Sequence, residues 1–195
     1  MKQADHDAPN VDLSERFEDA LAWASALHRR QARKAPAVPY VSHLLAVCSL
    51  VLEAGGDEDE AIAALLHDAV EDQGGAPRLH EIRSRYNARV AQIVDGCTDA
   101  YESPKPAWQK RKQDFISSLD EATESVLLVV AADKLHNAQS TIDSLQAEGP
   151  SVWDRFRGRE RTLWYYRQVA EALERRGANN LTRRLRRAVD VLESL

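Results

Sequence analysis

The sequence predicts an all-α fold, on three observations. Ala, Leu, Glu and Arg, all good helix formers, dominate a chain with only 6% aromatic residues. Apolar residues recur at spacings of three and four, and few stretches alternate with the period of two expected of a half-buried strand. The length, 195 residues, suits one domain with a substantial core. Residues 1–11 read as a mobile tail and residues 12–195 as the folded domain.

Taken in order, Leu13, Phe17, Ala20, Leu21, Ala24 and Leu27 predict a first helix over residues 13–30. A basic segment follows, with Arg33 and Lys34 on a loop because Pro36 and Pro39 forbid helix continuation. Such a run is either a solvated face or a clamp for phosphate. Ser42 is expected to cap a second helix, with His43 in its first turn, ending at Gly55-Gly56. Asp57 and Glu60 form a capping-box start for a third helix running through Asp72, with Gly74-Gly75 and Pro77 as its stop. Short amphipathic helices are predicted over 79–86, 88–97 and 108–119. The last of these carries Lys110, Arg111 and Lys112, which are a wet face or a source of positive potential. A long apolar helix from Val126 ends at Gly149-Pro150, and helices over 159–175 and 181–195 complete the chain. The four arginines of the last, Arg183, Arg184, Arg186 and Arg187, read as solvated or salt-bridged.

Composition narrows the partners. With 31 acidic and 26 basic residues the chain carries −5, which argues against a duplex-DNA binder while leaving local basic patches. Cys48 and Cys97 form neither a disulfide framework nor a CxxC motif and suit a reducing cytosol. There is no apolar run of membrane-spanning length and no signal-peptide core in residues 1–10. The expectation is a cytoplasmic protein with no membrane partner.

Chemistry concentrates at two places. On one continuous helix, His67, Asp68, Glu71 and Asp72 would share a side, over an arc of roughly 140°. Three carboxylates so placed repel by a few tenths of a kcal/mol per pair in water and by more in a cleft. They imply a bound cation, or else a helix end reaching solvent. Asp133 follows seven apolar residues, so it should be buried. An unpaired carboxylate there costs several kcal/mol, so it needs a cation, several donors or a salt bridge. Asn137 lies one turn further on the same face, with His136 between them. His43, His67, Asp68 and Asp133 make an N/O set suited to a divalent transition metal such as Mn, Fe, Co, Ni or Zn. Two of these carboxylates balance the ion and leave Glu71 and Asp72 as acid–base groups.

Three runs together carry a resemblance. They are Arg33-Lys34 with Pro39-Tyr40-Val41-Ser42-His43, then Leu65-Leu66-His67-Asp68-Ala69-Val70-Glu71-Asp72, then Ala132-Asp133-Lys134-Leu135-His136-Asn137. In them the sequence resembles the HD superfamily of metal-dependent phosphohydrolases, and more narrowly the hydrolase domain of the RelA/SpoT alarmone enzymes and their small stand-alone relatives. The resemblance implies an HD-domain helical bundle that removes pyrophosphate from the 3′ position of guanosine tetra- or pentaphosphate. It implies His43, His67, Asp68 and Asp133 as ligands of Mn²⁺ and Glu71 and Asp72 as the catalytic acidic pair. It implies Arg33, Lys34, Asn137 and Tyr165 as contacts to a guanosine polyphosphate. Leu44 stands where the family often has Pro, and Gln139 where many members have Arg. Two other readings are a phosphohydrolase of another nucleotide, such as a nucleotidase or a phosphorylated-dinucleotide phosphatase, and a non-catalytic nucleotide-binding module.

Overall fold

The computed structural model describes residues 12–33, 38–101, 104, 106–177 and 179–195. The tail over residues 1–11 lies outside them, as does Lys34. The helices are α1 (Glu15–Leu27), α2 (Val41–Glu53), α3 (Glu58–Leu66), α4 (Ala69–Gln73), α5 (Gly75–Arg85) and α6 (Ala88–Cys97). They continue as α7 (Trp108–Ser118), α8 (Glu124–Glu148), α9 (Arg159–Arg176) and α10 (Asn180–Ser194), with a 3-10 turn at Pro150–Arg155. Among the described residues the sole β feature is an isolated bridge between Ala32 and Pro39, so the fold is all-α as the sequence predicts.

The architecture is organised by α8. Thr123 caps it by accepting from the Val126 amide. Val126, Leu127, Val129, Val130, Ala131 and Ala132 are then buried around most of its circumference. A helix apolar on nearly every side must be surrounded, and α8 packs against α2, α3, α6, α9 and α10. α10 lays Leu181, Leu185, Ala188, Val189 and Leu192 inward at helical spacing. Each fully buried leucine contributes about 1.5–3 kcal/mol relative to exposure. α6 approaches α8 closely because Gly96 has no side chain: a Cβ there would lie 2.6 Å from Val126 Cγ2.

Four boundaries differ from the sequence expectations, each for a local reason. The first helix is shorter than predicted, because the Ser14 hydroxyl takes the N-cap position and leaves Leu13 42% exposed. Ser42 is not a cap. α2 begins at Val41, and Ser42 Oγ donates back to the Pro39 carbonyl at 2.8 Å. The capping box of Asp57 and Glu60 is present, but the helix it opens stops at Leu66. There the His67 ring bonds the Ala64 carbonyl at 2.8 Å and the chain turns before α4. His67 and Asp68 keep right-handed backbone angles, and the Asp72 amide still reaches the Asp68 carbonyl at 3.0 Å. The polar face therefore survives the break. Gly74 and Gly75, at φ of 141° and 63°, turn the chain, but Pro77 opens α5 rather than blocking it. In a first turn the missing proline N–H has no intrahelical partner to lose.

Candidate metal centre

Three segments converge on one point. His43 comes from the first turn of α2, His67 and Asp68 from the α3–α4 turn, and Asp133 from the third turn of α8. His43, His67 and Asp133 are 1%, 2% and 6% exposed, and their ligand atoms all lie within 4.8 Å of one another. His43 Nε2 is 3.2 Å from Asp133 Oδ1 and 3.6 Å from Asp68 Oδ2. His67 Nε2 is 3.0 Å from Asp68 Oδ2 and 3.7 Å from Asp133 Oδ1.

The supporting contacts orient these groups. The carboxylate of Asp133 is two-sided: Lys134 pairs with Oδ2, while Oδ1 faces the imidazoles and accepts from Asn137 Nδ2 at 2.5 Å. Arg33 Nη2 donates to Asn137 Oδ1 at 2.9 Å, tying the loop before α2 to α8. Tyr40 donates its hydroxyl to Asp68 Oδ2 at 2.5 Å. Burial of the phenol and the Asp68 carboxylate together push the Tyr40 pKa up, so it stays a donor. Burial opposes charge throughout the cluster, but specific partners overcome it at several sites. Lys134 and the histidines hold Asp133 well below the usual carboxylate range, and His67 helps to hold Asp68 low. Asp68 and Asp133 in turn hold the His67 pKa well above the ordinary imidazole value. At His43 burial wins, and its pKa is lowered.

This donor set fits a divalent ion. His67 Nε2 is a buried polar atom with no hydrogen-bond partner, although it faces two carboxylates. A neutral imidazole whose Nδ1 is committed to a carbonyl presents a bare lone pair at Nε2. With no ion bound, a proton on His67 offsets the two carboxylates, and a divalent ion could replace it among the two Nε2 lone pairs and the carboxylates. Asp133 thus meets the salt-bridge and donor expectations for a buried carboxylate, pairing with Lys134 on one oxygen and accepting from Asn137 on the other.

The centre opens into a cavity of about 500 Å³. Asp68, Glu71, Asp72 and Asp133 line one end, with Arg33 and Tyr40 beside them. Gln31 Nε2 donates to Asp72 Oδ2 at 2.8 Å, and Arg111 Nη1 lies 3.4 Å from Glu71 Oε1. Arg111 and Lys112 are both anchored on the buried carboxylate of Asp99. The Lys112 ammonium sits 4.6 Å from the ring centre of Tyr165, which also lines the cavity. Val152, Phe156 and Tyr166 also line it, together with Arg155 and Arg157.

Every site residue singled out in the sequence, Lys34 excepted, lies in this centre or on the cavity wall. Lys34 lies outside the described residues. Gln139 is exposed and does not line the cavity, and Leu44 is fully buried in the core. Sequence reasoning missed Tyr40, Lys134 and Asp99 as partners and left Arg111, Lys112 and His136 undecided. Only the adjacency of Tyr40 and Lys134 to ligand positions signalled them; nothing local marks Asp99.

Comparisons place the chain. It matches the HD domain family over residues 20–162. It is 32% identical to the guanosine-3′,5′-bis(diphosphate) 3′-pyrophosphohydrolase MESH1 of Danio rerio, over 83% of this chain and 84% of that protein. It is 30% identical to the MESH1 of Drosophila melanogaster, over 85% and 89%. A solved structure of a metazoan ortholog of SpoT that hydrolyzes ppGpp superposes with a TM-score of 0.76 at 30% identity, covering 92% of this chain and 96% of that one. The Listeria monocytogenes protein lmo0812 does so with a TM-score of 0.67 at 29% identity, over 76% of this chain and 96% of that one. The shared helical fold, the convergent His and Asp side chains and these matches lead to one assignment: the chain belongs to the HD domain family, in its RelA/SpoT-type branch.

Proposed function

We propose that this protein is a metal-dependent guanosine-3′,5′-bis(diphosphate) 3′-pyrophosphohydrolase, releasing GDP or GTP and pyrophosphate in the cytoplasm. The observation that carries the reading is one cavity whose wall holds Asp68 and Asp133 of the donor set beside Glu71 and Asp72. Similar proteins that bear this activity in their names support the substrate.

His43, His67, Asp68 and Asp133 hold the ion, with Mn²⁺ the one we assign. A divalent ion bound by these four residues would supply Lewis-acid chemistry at the reacting phosphate. Glu71 and Asp72 form the acid–base pair, and one of them takes the proton of the attacking water. Arg111 and Lys112, held in place by Asp99, offset phosphate charge beside Glu71. Arg33, Asn137 and Tyr165 line the cavity and contact the nucleotide, Tyr165 through its ring face, and Lys34, next in sequence to Arg33, is assigned to the same role.

The test is product identification. Purified protein, stripped of metal and reloaded with Mn²⁺, is incubated with guanosine tetraphosphate; GDP and pyrophosphate are expected in equal amounts. Orthophosphate release from another nucleotide, with guanosine tetraphosphate untouched, would replace this substrate assignment.

A further inference from the structure

The imidazoles of the centre are tied back in the same manner, each through its δ nitrogen. His67 Nδ1 lies 2.8 Å from the Ala64 carbonyl oxygen. A carbonyl only accepts, so the neutral His67 ring carries its proton on Nδ1 and aims a bare Nε2 at Asp68 and Asp133. His43 Nδ1 lies 2.8 Å from Nδ1 of His136, with ring centres 4.9 Å apart and planes tilted by 37°. Two neutral imidazoles can join δ nitrogens in only two ways, since one must donate and the other accept.

We propose that His136 is the acceptor when the centre is loaded, a positioning residue that fixes His43 as its Nδ1–H tautomer. The inference rests on the metal reading of the site. A ligating imidazole must present an unprotonated nitrogen, and the His43 nitrogen facing Asp133 and Asp68 is Nε2. With Nε2 bare, the proton of the neutral ring sits on Nδ1 and points at His136. His136 then holds its own proton on Nε2. The opposite arrangement gives His43 an Nε2–H donating to Asp133, a hydrogen-bonded pair that cannot ligate.

Placement and charge favour this role. His136 lies three residues after Asp133 on α8, so one rigid helix supplies a ligand and orients another that comes from α2. A neutral acceptor also adds no charge of its own to a centre already built from the Asp68 and Asp133 carboxylates and the Lys134 ammonium.

The proposal is tested on the full chain loaded with Zn²⁺, a diamagnetic stand-in for the native ion. Long-range ¹H–¹⁵N imidazole spectra should show His43 protonated at Nδ1, and His136 bare at Nδ1 and protonated at Nε2. A protonated His136 Nδ1 in the loaded protein overturns the proposal. Zinc that perturbs neither His43 nor His67 overturns the metal reading beneath it as well. Calorimetric Zn²⁺ titration gives a second readout. His136→Leu should bind about 10–100-fold more weakly. His136→Gln, whose amide oxygen accepts in the same place, should recover most of that loss. Equal affinity in all three proteins would overturn the proposal without touching the metal site itself.

Discussion

Asp99 shows how far a residue's role can lie from its sequence neighbourhood. Its side chain is 4% exposed, and it holds Arg111 and Lys112 at the cavity wall. Burial alone would raise its pKa, but Lys112, hydrogen bonding and Arg111 bring it down to about 2. The folded value is below the unfolded carboxylate value of about 3.9, so Asp99 stabilises the fold fully above about pH 4. That contribution, on the order of 2 kcal/mol, is lost as the pH falls from about 4 to about 2. Asp99→Asn should therefore show a shallower fall in stability over that range than the parent, in urea titrations at stepped pH. At the candidate metal centre, Asp133→Asn removes a proposed ligand oxygen and leaves Lys134 without its carboxylate. Elemental analysis should find less than one ion per chain, with hydrolysis falling at least about 100-fold, as loss of an electrostatic group at a reacting centre does. Asp133 was legible because seven apolar residues in front of it announce a buried charge. The Tyr40–Asp68, Arg111–Glu71 and His43–His136 pairs were not, being 28, 40 and 93 residues apart. No local pattern encodes such pairings; tertiary packing creates them.

At the scale of the helix, legibility followed the strength of the local signal. The Asp57 capping box, the apolar run of α8 and its stop at Gly149 are written in spacing and turn chemistry, and the structure follows them. The break at His67 is not, because it depends on an imidazole turning back to the Ala64 carbonyl. The start of α5 at Gly75 was misread because Pro is a stop signal in a helix interior but an acceptable residue in a first turn. The α6–α8 contact yields a sharp prediction. Gly96→Ala would place a methyl 2.6 Å from a β-branched valine, and overpacking of this kind costs about 1–3 kcal/mol. Thermal melts should show a lower Tm, and most of the loss should vanish when Val126→Ala is present, a coupling that a double-mutant cycle reads directly.

For the whole molecule, the centre joins α2, the α3–α4 turn and α8 through groups that repel when unneutralised. A divalent ion bound to the native state alone should therefore stabilise the entire fold. At 100 times the dissociation constant the gain is about 2.7 kcal/mol. For a domain of this size that corresponds to a Tm about 5–10 °C higher than in excess chelator, measurable by calorimetry.

The split allegiance of Asp133 reaches further still. One oxygen looks toward the two imidazoles, while the other is neutralised by Lys134, whose ammonium lies 5.8 Å from the ring centre of Tyr165 on the cavity wall. An anionic guest that draws on that ammonium alters the electron supply of the carboxylate, so cation and guest share a thermodynamic account. Linkage makes the exchange symmetrical: the factor by which Mn²⁺ tightens a non-hydrolysable nucleotide must equal the factor by which the nucleotide tightens Mn²⁺. Replacing Lys134 with Met should shrink both factors together, leaving a catalyst that lets go of its metal and its guest independently.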